Sequence, residues 1–169
     1  MEKFHCKKLL FLCGMLLFTN ACSTSEEEKT KYKADVQAVM NDWHNAAAEA
    51  DFERYFGHFA DSTSIFMGTD ATERWNVSEF KSYSKPYFDR GRAWNFTPLN
   101  RYVYISENGK TAWFDEELST PNLGPSRGTG VLVLKENEWK IAHYNLTVPI
   151  PNAIMDAVKN QIEKELEKN

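Results

Sequence analysis

The sequence predicts an α+β fold, in which three N-terminal helices pack against a curved antiparallel sheet and a fourth helix closes the chain. Three observations predict it. Apolar residues recur at three- and four-residue spacing through the segment before residue 60, a helix-start signature stands at Asn76, and beyond Ala93 the pattern changes to four runs rich in Trp, Tyr, Phe, Val and Thr.

In chain order, Met1 to Lys8 carries Lys3, Lys7 and Lys8, Leu9 to Phe18 is nearly all apolar, and Thr19, Asn20 and Ala21 precede Cys22. That is the layout of a secretory signal peptide, since about 10 apolar residues are too few to span a bilayer as a helix. A small residue directly before a cysteine at the end of such a segment resembles the lipobox of bacterial lipoproteins, although Thr19 stands where Leu is commonest. The resemblance implies removal of residues 1–21, acylation of Cys22, and an exported chain held to a bacterial membrane by lipid, on the outer membrane or cell surface if the cell is Gram-negative. The other cysteines, Cys6 and Cys13, lie inside the signal segment, so the mature domain has no disulfide to rely on. Loss of Glu2, Lys3, Lys7 and Lys8 moves the formal charge from −4 to −6, which argues against nucleic acid or an anionic lipid face as partner. Any membrane contact is then through the anchor.

Residues 22–33 are polar, charged and aperiodic, and read as a solvated tether. Their acidic residues resemble the surface-export signals of some Gram-negative groups; a plain flexible linker reads equally well. Residues 34–151 form the folded domain. Val36, Val39, Met40, Trp43, Ala46, Ala47 and Ala50 make one buried stripe of a helix from Ala34 to Ala50. Asp51 caps a shorter helix whose Phe52, Tyr55, Phe56 and Phe59 share a face. Ile65 and Phe66 form a brief strand stopped by Gly68. Asn76 with Glu79 is a variant capping box and Trp75 can staple onto Phe80, so a third helix starts at Val77; Pro86 should kink it or end it early, and Gly91 is a suitable stop.

The strand-like runs are Ala93–Ser106, Thr111–Thr120, Gly128–Lys135 and Trp139–Val148. Glu107-Asn108-Gly109 is a hairpin turn and Lys135 to Glu138 supplies another. Simple alternation places Trp139, Ile141, His143, Asn145 and Thr147 on one face of the last strand, where a cavity wall would want the three polar groups. Residues 152–169 read as a charged amphipathic helix with Ile154, Val158, Ile162 and Leu166 in line.

The order helix, short helix ending Phe59-Ala60-Asp61, strand, GTD-x-x-ERW from Gly68 to Trp75, third helix, then strands ending in WKIAHYNLT from Trp139 to Thr147, resembles the SnoaL-like branch of the nuclear-transport-factor-two-like superfamily. The resemblance spans Tyr32 to Pro151. It implies a cone-shaped domain enclosing a pocket, dimerisation through the outer sheet face, and no metal or organic cofactor. Members include isomerases, cyclases and dehydratases as well as binding and assembly modules, and the association domain of calcium/calmodulin-dependent kinase looks like a relative. Function must therefore come from the pocket residues.

Asp115, which shares a strand face with Trp113 and Glu117, is a candidate general base or acid if that face lines the pocket; on the outer face it would pair with Lys140 or a dimer mate. His143 stands where relatives carry an H-x-H-x-S pattern, here with Asn145 and Thr147 in the later places. It reads either as a proton-transfer residue, paired with Asp115 if the two are neighbours, or as a core histidine satisfied by a carboxylate. Arg127 is a candidate anion fork or the structural partner of Asp115, Glu116 or Glu117. Glu73 and Arg74 fasten the loop before the third helix, Trp75 and Trp94 are expected at the cavity mouth, and Tyr55 offers a hydroxyl inside. His44, His58 and His143 have no ligand spacing, so no metal site is expected. Three functions remain: a small-molecule-binding dimer, a cofactor-independent isomerase, cyclase or dehydratase, and a dimeric assembly module.

Overall fold

The computed structural model describes residues 24–168; the predicted signal segment and the predicted lipidation site Cys22 lie outside the described residues. Helix α1 spans Glu26–Ala48, α2 Phe52–Gly57 and α3 Val77–Asp89, followed after the strands by a 3-10 turn at Asn152–Ile154 and α4 at Met155–Leu166. The strands are β1 Ile65–Met67, β2 Arg74–Asn76, β3 Thr97–Ile105, β4 Thr111–Thr120, β5 Gly124–Lys135 and β6 Glu138–Thr147. They form one six-stranded sheet in the order β2-β1-β6-β5-β4-β3. The sheet is mixed, because β1 runs parallel to β6 while the other pairs are antiparallel.

Helix α1 starts eight residues before the expected Ala34, so most of the predicted tether is helical. The cause is local. Ser25 and Glu28 form a reciprocal capping box, and Glu26, Glu27 and Glu28 place negative charge at the positive end of the helix dipole. The early turns are also tied to the sheet, since the Tyr32 ring meets Trp139 edge-on at 5.5 Å and the Thr24 N–H donates to the Glu107 carbonyl at 2.8 Å.

Helix α3 begins at Val77 behind the Asn76–Glu79 capping box, and Trp75 stacks on Phe80 with centroids 5.5 Å apart. It runs through Pro86 to Asp89, three residues further than an early stop would allow. What holds the last turn is Phe88, buried against Phe52 and Tyr55, and a Schellman closure in which Gly91 (φ 66°) and Arg92 donate to the carbonyls of Phe88 and Tyr87. The cap is testable. Asn76→Ala removes the acceptor of the Glu79 N–H and is expected to lower unfolding stability by about 1 kcal/mol, read as a shift of the urea midpoint at unchanged slope.

One irregularity decides which residues face inward. Along β6 the pairing with β5 steps from Leu132↔Ile141 to Val131↔His143, leaving Ala142 as an extra residue. The bulge has a mechanical reason: β6 bonds on its other side first to the segment His58–Ala60 through Ile141, then to β1 through His143, Tyr144 and Asn145, and the turn between those two segments breaks the ladder. An extra residue shifts a strand's two-residue period by one. Trp139 and Ile141 therefore point into the core before the bulge, and Tyr144 and Leu146 point into it after.

On β4 the inner residues are Ala112, Phe114, Glu116, Leu118 and Thr120, all buried. Helix α1 lies across this face, with Val36, Met40, Trp43, Ala46 and Ala47 buried against it, as their spacing predicts. Gly128 and Gly130 on β5 leave room for the side chains above them: a Cβ on Gly130 would sit 2.7 Å from the Phe114 ring, and equally close to the His143 carbonyl oxygen.

Candidate functional site

Sequence alternation without the bulge puts His143, Asn145 and Thr147 beside Trp139 and Ile141. The structure puts these three on the opposite, outer face of the sheet, where His143 lies beside Ile65 and Val131. Burial is the main cause that lowers its pKa below the usual histidine value, and the neighbouring Arg74 lowers it further, which keeps the ring neutral near pH 7. Asp115 and Glu117 share the outer face of β4. Asp115 stands opposite Tyr102 and Thr129 and is separated from His143 by the whole of β5, about 10 Å at two strand spacings, so the two form no acid/base pair. Glu117 accepts from the Asn100 amide at 2.9 Å and lies opposite Arg127, which is exposed.

The carboxylate on the inner face is Glu116, 1 % exposed. It accepts from Arg101 on β3 (Nε to Oε2, 2.8 Å), from the Tyr144 hydroxyl on β6 (3.0 Å) and from His44 on α1 (Nε2 to Oε1, 2.9 Å). A carboxylate only accepts, so His44 carries its proton on Nε2. Arg101 Nη2 lies 2.7 Å from Oε2 without aiming an N–H along that line, and Nη1 reaches back to Gln37 and Asn41 on α1. Burial raises the pKa of Glu116, but the bonds and charges of His44 and Arg101 outweigh it and hold the carboxyl below its usual range. Burial and the neighbouring carboxylate push the Tyr144 hydroxyl well above the usual tyrosine value. Four residues from α1, β3, β4 and β6 are thus bonded together around one carboxylate, and the network fastens α1 to the sheet.

The hollow lies elsewhere on the inner face, among β1, β2, α3, the segment carrying Trp94 and Phe96, Leu123 in the β4–β5 turn and Leu146 on β6. It is a cavity of about 150 Å³. Its walls are mainly aromatic. Phe66 stacks on Phe80 at 4.0 Å with planes 10° apart, and Phe80 in turn stacks on Trp75 and Trp94 at 16° and 20°. Trp75 and Trp94 both line the cavity. Tyr55 stands behind Trp94, fully buried and stacked on Trp43, and accepts from the Trp94 indole N–H at 3.3 Å. Burial raises its hydroxyl pKa well above the usual tyrosine range. Tyr83 edges the cavity, its hydroxyl pushed up to about 12 first by burial and then by Tyr87 and Glu73.

The polar part of the wall comes from Thr69 and Glu73. The loop that carries them is self-fastened: Asp70 accepts from both the N–H and the hydroxyl of Thr72, and Glu73 Oε2 accepts from the Asp70 N–H. Glu116, His44 and Glu73 were not singled out as site residues by sequence. A signal for Glu116 existed, because the β4 set Ala112, Phe114, Leu118 is more apolar than Trp113 alone on the other face.

An apolar hollow under a curved sheet, bounded on its helical side by α3, defines a pocket-bearing α+β domain with the nuclear-transport-factor-two-like fold. The chain belongs to the SnoaL-like domain family, whose model matches residues 36–151. No curated protein matches it. Among solved structures it is similar to a protein provisionally named a scytalone dehydratase from Novosphingobium aromaticivorans (10% identity, 75% of this chain and 89% of that one, TM-score 0.63). It is also similar to a provisionally named dehydratase of the NTF2-like family from Streptomyces avermitilis (13% identity, 73% and 99%, TM-score 0.60). The association domain of CaMKII from C. elegans is a third such structure (21% identity, 71% and 98%, TM-score 0.57). At these identities the likeness establishes the fold.

Proposed function

We propose that this is a lipid-anchored domain that binds a small, largely apolar molecule in the aromatic cavity without transforming it. The observation that carries the reading is the separation of the hollow from the acid and base of the inner face. Glu116, His44, Arg101 and Tyr144 are spent on one another, and none of the four lines the cavity. The two residues that sequence reasoning offers as acid and base, Asp115 and His143, lie on the opposite face of the sheet. A volume of about 150 Å³ matches a ligand of roughly benzene size, or one end of a larger one. A dehydratase-type reaction, which two neighbours' names suggest, would have to run through Glu73.

The outer face supports a second part of the proposal, a homodimer through the sheet. Tyr102, Tyr104 and Trp113 expose 54%, 44% and 46% of their surface there, and Tyr104 stacks on Trp113 at 5.7 Å. An aromatic patch of that kind is what a sheet-to-sheet interface buries. The anchor at Cys22 is proposed from the sequence pattern.

Native mass spectrometry of the protein purified from its own host tests the binding reading. A discrete excess mass is expected on the wild type and absent from Leu123→Trp, in which a half-exposed turn residue fills the cavity mouth. An excess mass retained in that variant, or none on the wild type, would refute it.

A further inference from the structure

The cavity's chemistry narrows its ligand. Among the described residues Glu73 is the one charged side chain in the lining, and no lysine, arginine or histidine faces the hollow. Its carboxylate rests against Gly68, where a Cβ would sit 2.2 Å from Oε2, so glycine is what admits the carboxylate to the wall. Oε2 accepts from the Asp70 N–H at 3.1 Å, and Glu73 makes no ion pair among the described residues. The same cavity is lined by Phe66, Trp75, Phe80, Tyr83 and Trp94.

A carboxylate at the edge of an apolar hollow lacks a countercharge, and aromatic rings attract cations through the negative potential of their faces. Both features favour the same guest. We propose that the cavity receives an organic cation, an alkylated ammonium group carried on a small apolar body. Methylated nitrogen is favoured over a primary ammonium because the wall supplies few acceptors, and three N–H donors would go unsatisfied there. Anionic guests such as carboxylates and phosphates are disfavoured by Glu73.

This rests on the reading of the cavity as a ligand site, and the probes are chosen so that the two fail separately. Choline and 3,3-dimethylbutan-1-ol have the same shape, with carbon in place of the charged nitrogen in the second. By titration calorimetry choline is expected to bind about tenfold more tightly than the neutral alcohol. In Glu73→Gln, which keeps the acceptor for Asp70, the preference is expected to fall to about threefold or less, with the alcohol's affinity unchanged. Equal binding of both probes by the wild type would overturn the cation assignment and leave the ligand site standing. A preference undiminished in Glu73→Gln, or an equal loss of both probes, would overturn the role of Glu73. Failure of both probes at millimolar concentration also overturns the assignment, and the native mass measurement then decides separately whether the cavity holds a ligand.

Discussion

Replacing Glu116 with Ala is expected to cost about 3–5 kcal/mol of unfolding free energy, a large share of what a domain of this size has. The reason is the company the carboxylate keeps. Arg101 has 3% of its side chain exposed, and without Glu116 its charge stays buried with no counterion, while the Tyr144 hydroxyl and the His44 N–H lose their acceptor. The double variant Glu116→Leu with Arg101→Met removes both charges and is expected to be more stable than Glu116→Leu alone, because a buried ion pair is costly to break and cheap to replace whole. The sign of the pH effect follows from the lowered pKa. The ionised carboxyl stabilises the fold above its ordinary value of 4.5, and that contribution is lost as pH falls through the lower value it has in the folded state. Urea unfolding of wild type and Glu116→Gln at neutral pH and below pH 4.5 checks this: the gap between them should narrow in acid. A gap that widens would show that the carboxyl is not held ionised by its neighbours.

The second large effect is expected at a residue with no side chain. Gly128→Ala places a methyl group 2.3 Å from the Tyr144 hydroxyl and 2.6 Å from Glu116 Oε1. Neither is a free chain end, since both are held in the buried network. Overpacking of this kind costs about 1–3 kcal/mol, and displacing the hydroxyl from a charged acceptor adds about as much, so a total near 3 kcal/mol is expected. Gly57→Ala is the control. Nothing lies within 4 Å of the added carbon there and no left-handed φ is required, so that change is expected to raise stability by about 0.5 kcal/mol through the unfolded chain. Thermal unfolding of both variants distinguishes steric conflict from a general intolerance of the fold.

Much of the architecture was legible because it rests on local chemistry. The stripe from Val36 to Ala47, the cap at Asn76, the Asn108-Gly109 turn and the SnoaL-like element order are all written in short spacings. The start of α1 was legible too, in Ser25-x-x-Glu28, but the run of charge around it reads as a tether when Tyr32 is not known to meet Trp139. Strand β2 is three residues long and exists only because β1 is beside it, which no local pattern reports.

The site was less legible, and one residue explains most of the difference. Parity along a strand is a sound guide until a bulge resets it, and the bulge at Ala142 is dictated by how β6 bonds to two separate segments. Nothing in WKIAHYNLT reveals that. Trp75 and Trp94 were legible as cavity residues because they flank a helix whose start and stop could be read. Asp115 and Glu116 differ only in parity, and choosing between them required weighing the whole of β4.

In the proposed function the ligand binds in the aromatic hollow beneath the sheet and not on the His143 face above it. The five tryptophans are distributed so as to test this, with Trp75 and Trp94 at the cavity, Trp43 and Trp139 in the core and Trp113 on the outer face. In an NMR titration with the molecule released from protein purified from its host, the indole N–H signals of Trp75 and Trp94 should move together while those of Trp113 and the His143 ring stay fixed. Movement of Trp113 and His143 with Trp75 and Trp94 unchanged would contradict the account.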